Sequence, residues 1–71
     1  MSKADAVDRL IRAVKECSKG SGAHLAALEG LGEAGGNAAI DHLIVSVNEA
    51  SVGSGSHLAA LKALGRAARN E

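Results

Sequence analysis

The chain has 71 residues with no Phe, Trp or Tyr, and eight basic side chains balance eight acidic ones. A chain this short forms at most one domain, and a core without aromatic residues makes an isolated monomer marginally stable. Because its formal charge is zero, the chain lacks the net positive charge that is typical of a nucleic-acid binder. A single cysteine excludes an internal disulfide, and no apolar run has the length of a membrane span or signal peptide. We therefore expect a cytoplasmic protein with no membrane partner.

An internal repeat with an offset of 33 residues dominates the sequence. The segment GSGAHLAALEGLGEA at 20–34 recurs as GSGSHLAALKALGRA at 53–67, and 19 of 32 aligned residues in the two copies are identical. A period between about 20 and 50 residues is typical of proteins built from stacked structural units. The sequence predicts one all-α domain over residues 1–71, with four helices in two tandem helical hairpins at 4–36 and 37–71.

The first hairpin is predicted from helix caps and apolar periodicity. Ser2 followed by Asp5 indicates a capping box at the start of the first helix. The Gly-Ser-Gly at 20–22 ends that helix, because glycine costs about 1 kcal/mol relative to alanine inside one. The apolar residues of the first two helices follow the spacing of one packed face: Val7, Leu10, Ile11 and Val14, then Leu25, Leu28 and Leu31.

The second hairpin follows a pair of glycines. Gly35 and Gly36 end the second helix, and Asn37 is the predicted N-cap of the third. Gly32 and Gly65 occupy equivalent places in the second and fourth helices, where their cost in helix propensity indicates that another backbone passes close to each. The expected core is one contiguous cluster: Leu10, Ile11, Leu28, Leu31, Leu43, Ile44, Leu61 and Leu64.

The stretch ALEGLGEAGGNAAIDHLI, from Ala27 to Ile44, resembles the junction of HEAT-like helical repeats. In such repeats a Leu-Gly pair ends the inner helix, and a Gly-Asn or Gly-Asp turn leads into the next Ala-rich helix. The resemblance covers most of the chain and implies HEAT-like right-handed α-α stacking, as in an α-solenoid. It also implies a function as a protein-interaction or scaffold module.

The two copies differ most in their first helices. Charged residues of repeat one are replaced by Val45, Val52 and His42 in repeat two. A helix that is apolar nearly all round is normally buried. The third helix therefore either lies between the first and fourth helices of its own chain or meets another chain. Stacked repeats need about three units for stability, so we expect a homodimer or higher homo-oligomer whose interface includes Val45, Val52 and His42. Another protein is a further possible partner.

The second helices of the copies differ in charge. Glu29 of repeat one becomes Lys62, and Glu33 becomes Arg66. If the repeats stack in register, each glutamate lies beside its basic counterpart, within one chain or across a head-to-tail contact. The alternative is an ordinary solvated face, and exposed pairs contribute only about 0 to 1 kcal/mol each.

The repeated Gly-Ser-Gly-x-His motif is the candidate ligand site. It begins two helices, and helix starts attract anions through free N–H groups and the helix dipole. An anion-binding or nucleic-acid-binding module is therefore the alternative function, and plain N-capping by serine is the simpler interpretation. The candidate anion-binding residues are Ser21, Gly22, His24, Ser54, Gly55 and His57.

Other chemistry has little support in the sequence. No His or Cys pair has the short spacing of a zinc site, and no histidine lies next to Cys17 in sequence to activate it. We therefore expect no catalytic residues, no metal and no cofactor. The repeat length is similar to that of TAL-effector DNA-binding repeats, but those arrays use many repeats and a positive inner surface. Nucleic acid is accordingly not the expected partner.

Overall fold

The computed structural model describes residues 2–70 and contains four α-helices in this range, which confirms the all-α prediction. The predicted domain limits include Met1 and Glu71, which lie outside the described residues. None of the four helices has the length and apolarity that crossing a bilayer requires. The helices are α1 (Lys3–Glu16), α2 (Gly22–Ala34), α3 (Asn37–Glu49) and α4 (Gly55–Arg69).

Serine side chains start three of the helices. Ser2 Oγ accepts a hydrogen bond from the Asp5 N–H at 3.2 Å, and the Ser2 N–H donates to the Asp5 carboxylate, so the predicted capping box is confirmed. Ser21 and Ser54 cap α2 and α4 by accepting from the N–H groups of His24 and His57, without the reciprocal side-chain bond of a capping box. These caps satisfy N–H groups that lack partners inside the helix.

The predicted N-cap of α3 at Asn37 is wrong. Gly36 is the N-cap and makes no side-chain hydrogen bond, while Asn37 is already the first helical residue. Gly35 and Gly36 both have positive φ, at 68° and 87°. Two consecutive residues in this region, which glycine reaches without steric cost, complete the turn one residue earlier than the sequence pattern suggests.

The helices pack as two hairpins that are joined mainly through α2 and α4. The contact between these two helices is the most extensive in the molecule, whereas α1 and α3 touch only slightly. Helix α2 makes the most extensive contacts, chiefly with α4 and α1 and to a lesser degree with α3, so it is the central element. The interpretation of α3 as the central helix is therefore wrong, because Ile44 and Val45 on α3 remain about half exposed.

The close approach of α2 and α4 depends on small residues. A Cβ atom added at Gly32 would lie 2.8 Å from the Cα and the carbonyl oxygen of Ala63, so the predicted crossing at Gly32 is confirmed. The equivalent prediction at Gly65 is wrong, because a Cβ there would meet nothing within 4 Å. Gly65 lies on the last helix, and no further helix covers it.

The core is smaller than predicted. Leu28, Leu31 and Leu43 are fully buried. Leu10, Ile11 and Leu64 pack against this core while partly exposed. Ile44 and Leu61 are 43% and 44% exposed, so their assignment to the core is wrong. Alanines complete the core instead, chiefly Ala39, Ala60, Ala63 and Ala67.

One of the two predicted charge pairs forms. Arg66 Nη1 lies 2.6 Å from Glu33 Oε1, which places equivalent positions of the two repeats side by side. Glu29 and Lys62 form no salt bridge in the described part of the chain. Both side chains of the observed pair are about half exposed, so it contributes at most about 1 kcal/mol and mainly fixes the register of α2 against α4.

Candidate functional site

Each Gly-Ser-Gly-x-His motif forms a turn that its own histidine completes. In repeat one, the Ser21 N–H donates to the Ser18 carbonyl at 3.1 Å, and Gly20 has a φ of 84°. The Gly20 N–H then donates to His24 Nδ1 at 3.2 Å. Repeat two has the same geometry, with the Gly53 N–H donating to His57 Nδ1 at 3.2 Å. Each motif therefore supplies its own partner for the N–H of the glycine that precedes its serine, without a ligand.

This geometry requires a neutral His24. A ring nitrogen that accepts a hydrogen bond carries no proton, so the proton of the neutral ring is on Nε2. Burial, and next the positive charge of Lys19, lower the pKa of His24 below its usual 6.5. If His24 bound an anion as a charged imidazolium, its Nδ1 would be protonated and the turn would lose the acceptor for the Gly20 N–H.

Ser56 joins the two motifs. Its hydroxyl lies 3.1 Å from His24 Nδ1, across the contact between the repeats. The structure therefore brings the start of α4 next to the start of α2. In repeat one the equivalent of Ser56 is Ala23, and sequence reasoning did not single out Ser56. The substitution between the copies is the signal that could have found it.

The slight contact between α1 and α3 leaves a cleft of about 700 Å³ between the repeats. Val45 and His42, two of the predicted oligomer-interface residues, line this cleft together with Lys15 and Lys19. Val52, the third, is 91% exposed in the α3–α4 loop. The structure therefore brings Val45 and His42 together but places Val52 apart from them. The loss of charge at Val45 follows from its position facing repeat one.

His42 is a polar residue of the cleft whose ring is partly buried. Its Nε2 is buried and has no hydrogen-bond partner among the described residues. Burial is the largest cause of its lowered pKa, followed by the positive charge of Lys15, and Glu49 partly opposes the shift. A neutral ring is therefore favoured in this cleft, which disfavours a role for His42 as a cation that binds anions.

Metal-ligating and nucleophilic side chains are dispersed. Within residues 2–70, no three His, Cys, Asp or Glu side chains are grouped in a way that could hold a metal ion. Cys17 is a half-buried free cysteine at the end of α1. No histidine hydrogen-bonds to it in the described chain, so no side-chain base is positioned to activate the thiol.

Apolar residues on the outer side of repeat two are exposed, although their equivalents in repeat one are buried or half-buried. Leu28 is fully buried, yet its equivalent Leu61 is 44% exposed, and Leu58 is 51% exposed where Leu25 is half-buried. We call this surface the open α3/α4 face. It consists of Ile44, Leu58, Leu61 and Gly65. Repeat one uses the equivalent residues for internal packing, so this apolar face is left uncovered among the described residues.

No family model matches this chain, and no curated protein or solved structure matches it either. Two surfaces of the described residues are accessible to a partner: the cleft between the repeats and the open α3/α4 face.

Proposed function

We propose that this protein is a HEAT-like helical-repeat module that self-associates and serves as a protein-interaction scaffold in the cytoplasm. The observation that carries the proposal is the exposure of Leu61, whose equivalent in repeat one is fully buried. Terminal units of stacked repeat proteins normally have a polar outer face. The apolar outer face of repeat two therefore supports a role in binding another folded surface.

The energetics support association. Burying a leucine side chain fully contributes about 1.5 to 3 kcal/mol relative to exposure. Leu58, Leu61 and Ile44 are each about half exposed, so covering them would add several kcal/mol before the cost of association. The fully buried large side chains of the described residues are three leucines. For so small a core, several kcal/mol from association would be a large gain in stability.

Another copy of the chain is the preferred partner, and a different helical protein is the second. The balanced formal charge gives little support for nucleic acid. Anion binding through the two Gly-Ser-Gly-x-His starts is the weaker alternative function, because His24 and His57 both use Nδ1 to complete their own turns.

Analytical ultracentrifugation over a wide concentration range tests the proposal. We expect the average mass to rise with concentration, because folding and association are linked by mass action. Leu61→Lys should reduce the mass to that of a monomer. The matched control is Asn48→Lys, which places the same charge at an exposed polar site on α3. A wild-type chain that stays monomeric throughout would contradict the proposed function.

A further inference from the structure

We propose that copies of this chain associate head to tail, with the open α3/α4 face of one copy docked on the outer side of repeat one in the next. This inference rests on the proposed self-association and specifies its geometry. The contact between copies would reproduce the contact that already joins the two repeats within the chain.

The internal contact provides the template. The α2 side of this contact is the first set of residues and consists of Leu28 and Gly32, both buried. The α4 side is the second set and consists of Ala63, with Ala60 and Ala67 on the same helical face. The open α3/α4 face carries the first set of residues again, since Leu61 and Gly65 are the equivalents of Leu28 and Gly32.

The outer side of repeat one carries part of the second set, since Gly30 and Ala34 are the equivalents of Ala63 and Ala67, while Ala27, the equivalent of Ala60, is buried in the core. We call this side the free α1/α2 face and define it by the accessible equivalents of core residues of repeat two and of Ser56. Ala6 and Ala23 on it are exposed, and the other three are half-buried. The face consists of Ala6, Leu10, Ala23, Gly30 and Ala34. All five are small or apolar, so a helix can approach as closely here as α2 approaches α4.

Leu10 is the residue of this face that must adjust. A Cβ added at Gly30 would lie 3.0 Å from Leu10 Cδ2, so the leucine partly covers the glycine in the single chain. Its equivalent in repeat two, Leu43, is fully buried. Docking therefore requires movement of this flexible side chain.

Charge favours this geometry over a symmetric one. The internal contact pairs Arg66 with Glu33 at equivalent positions. Head-to-tail docking places Arg66 of one copy beside Glu33 of the next. A two-fold contact between two α4 helices would instead bring basic residues together, because α4 contains Lys62, Arg66 and Arg69 and no acidic residue. A heterologous contact of this kind repeats from copy to copy, giving a ring where the rotation between copies closes and an open chain where it does not.

Two blocking variants test the geometry. Gly65→Glu fills the open α3/α4 face at a helical position where a side chain meets nothing within 4 Å. It also improves helix propensity, so a loss of assembly would not reflect unfolding. Ala23→Glu blocks the free α1/α2 face at an exposed residue in the first turn of α2. Asn48→Glu, at an exposed residue outside both faces, is the control.

The expected results separate the two proposals. Each blocked variant alone should be monomeric, and their mixture should form a dimer with one copy of each, because each retains one intact face. Asn48→Glu should assemble like the wild type, and circular dichroism should show all variants folded. The geometry is overturned if Ala23→Glu still assembles alone, or if the mixture stays monomeric while the wild type assembles. A wild type that never assembles overturns the proposed function as well.

Discussion

The Ser56 hydroxyl lies 3.1 Å from His24 Nδ1, although 32 residues separate them in sequence. Ser56 is in the first turn of α4, and His24 is in the first turn of α2. The same ring nitrogen accepts from the Gly20 N–H. One buried histidine therefore holds its own turn and the neighbouring repeat together.

Ser56→Ala should weaken the contact between the repeats. Loss of a typical intramolecular hydrogen bond lowers the free energy of unfolding by about 0.5 to 1.5 kcal/mol. Urea unfolding monitored by circular dichroism measures the change. The control is Ser51→Ala, at an exposed residue of the α3–α4 loop. Equal stability of Ser56→Ala and the wild type would show that the contact contributes nothing.

Gly32→Ala and Gly65→Ala form a matched pair at equivalent positions. Gly32→Ala should destabilise the fold by about 1 to 3 kcal/mol, because the added methyl group overlaps the Ala63 backbone. Gly65→Ala should stabilise it by up to about 1 kcal/mol through helix propensity. Thermal melts at low protein concentration measure both effects on the monomer. Similar effects of the two substitutions would contradict the assigned α2–α4 contact.

Acidification should destabilise the protein through His24 and His42. Burial lowers the pKa of both residues in the folded state, so the unfolded chain binds more protons below about pH 6.5. Their contribution to stability is present above that pH. It is lost as the pH falls from about 6.5 through the lower pKa values of the folded state.

The histidine contribution can be separated from that of the carboxylates by comparing variants. Urea midpoints measured between about pH 8 and pH 5 should fall less steeply for His24→Gln than for the wild type, because glutamine does not titrate. A slope unchanged in His24→Gln would mean that its imidazole has the same pKa folded and unfolded.

Ala23→Ser should strengthen association. In the head-to-tail contact, residue 23 of one copy meets His57 of the next, as Ser56 meets His24 within the chain. The added hydroxyl should make one new hydrogen bond and tighten association by about 2- to 12-fold, which corresponds to about 0.5 to 1.5 kcal/mol. Sedimentation equilibrium measures the change. Weaker or unchanged association would argue against this register.

Phosphate should leave the imidazole ring signals of His24 and His57 unchanged in NMR titrations. Both Nδ1 atoms already accept from backbone N–H groups, so neither ring is free to bind an anion through this atom. Saturable, phosphate-dependent shifts at both histidines would instead support the alternative of an anion-binding module.

The sequence predicts local structure well because local structure depends on neighbouring residues. The capping box at Ser2 and the serine caps at Ser21 and Ser54 follow from patterns within four residues. Gly32 and the Glu33–Arg66 pair were also predictable, because the 33-residue repeat implies stacking in register.

The exposure of Leu61 and Gly65 was not predictable from the same patterns. Periodicity identifies the packed face of a helix, but it does not reveal whether a neighbour covers that face at the end of a stack. Likewise, the contact between Ser56 and His24 depends on the offset of α4 against α2, which no short-range pattern specifies. The prediction of Asn37 as the N-cap of α3 was wrong for a local reason. The turn at Gly35 and Gly36 ends one residue earlier than expected, so Asn37 is already helical.

The unequal spacing of the two helix layers has a consequence for larger assemblies. Gly32 lets α2 and α4 approach closely, whereas α1 and α3 stand apart around the cleft. Repeat two is therefore tilted against repeat one, with the closer spacing on the side of α2 and α4. Copies that stack with this tilt form an arc rather than a straight rod, with α2 and α4 along the concave side and α1 and α3 along the convex side.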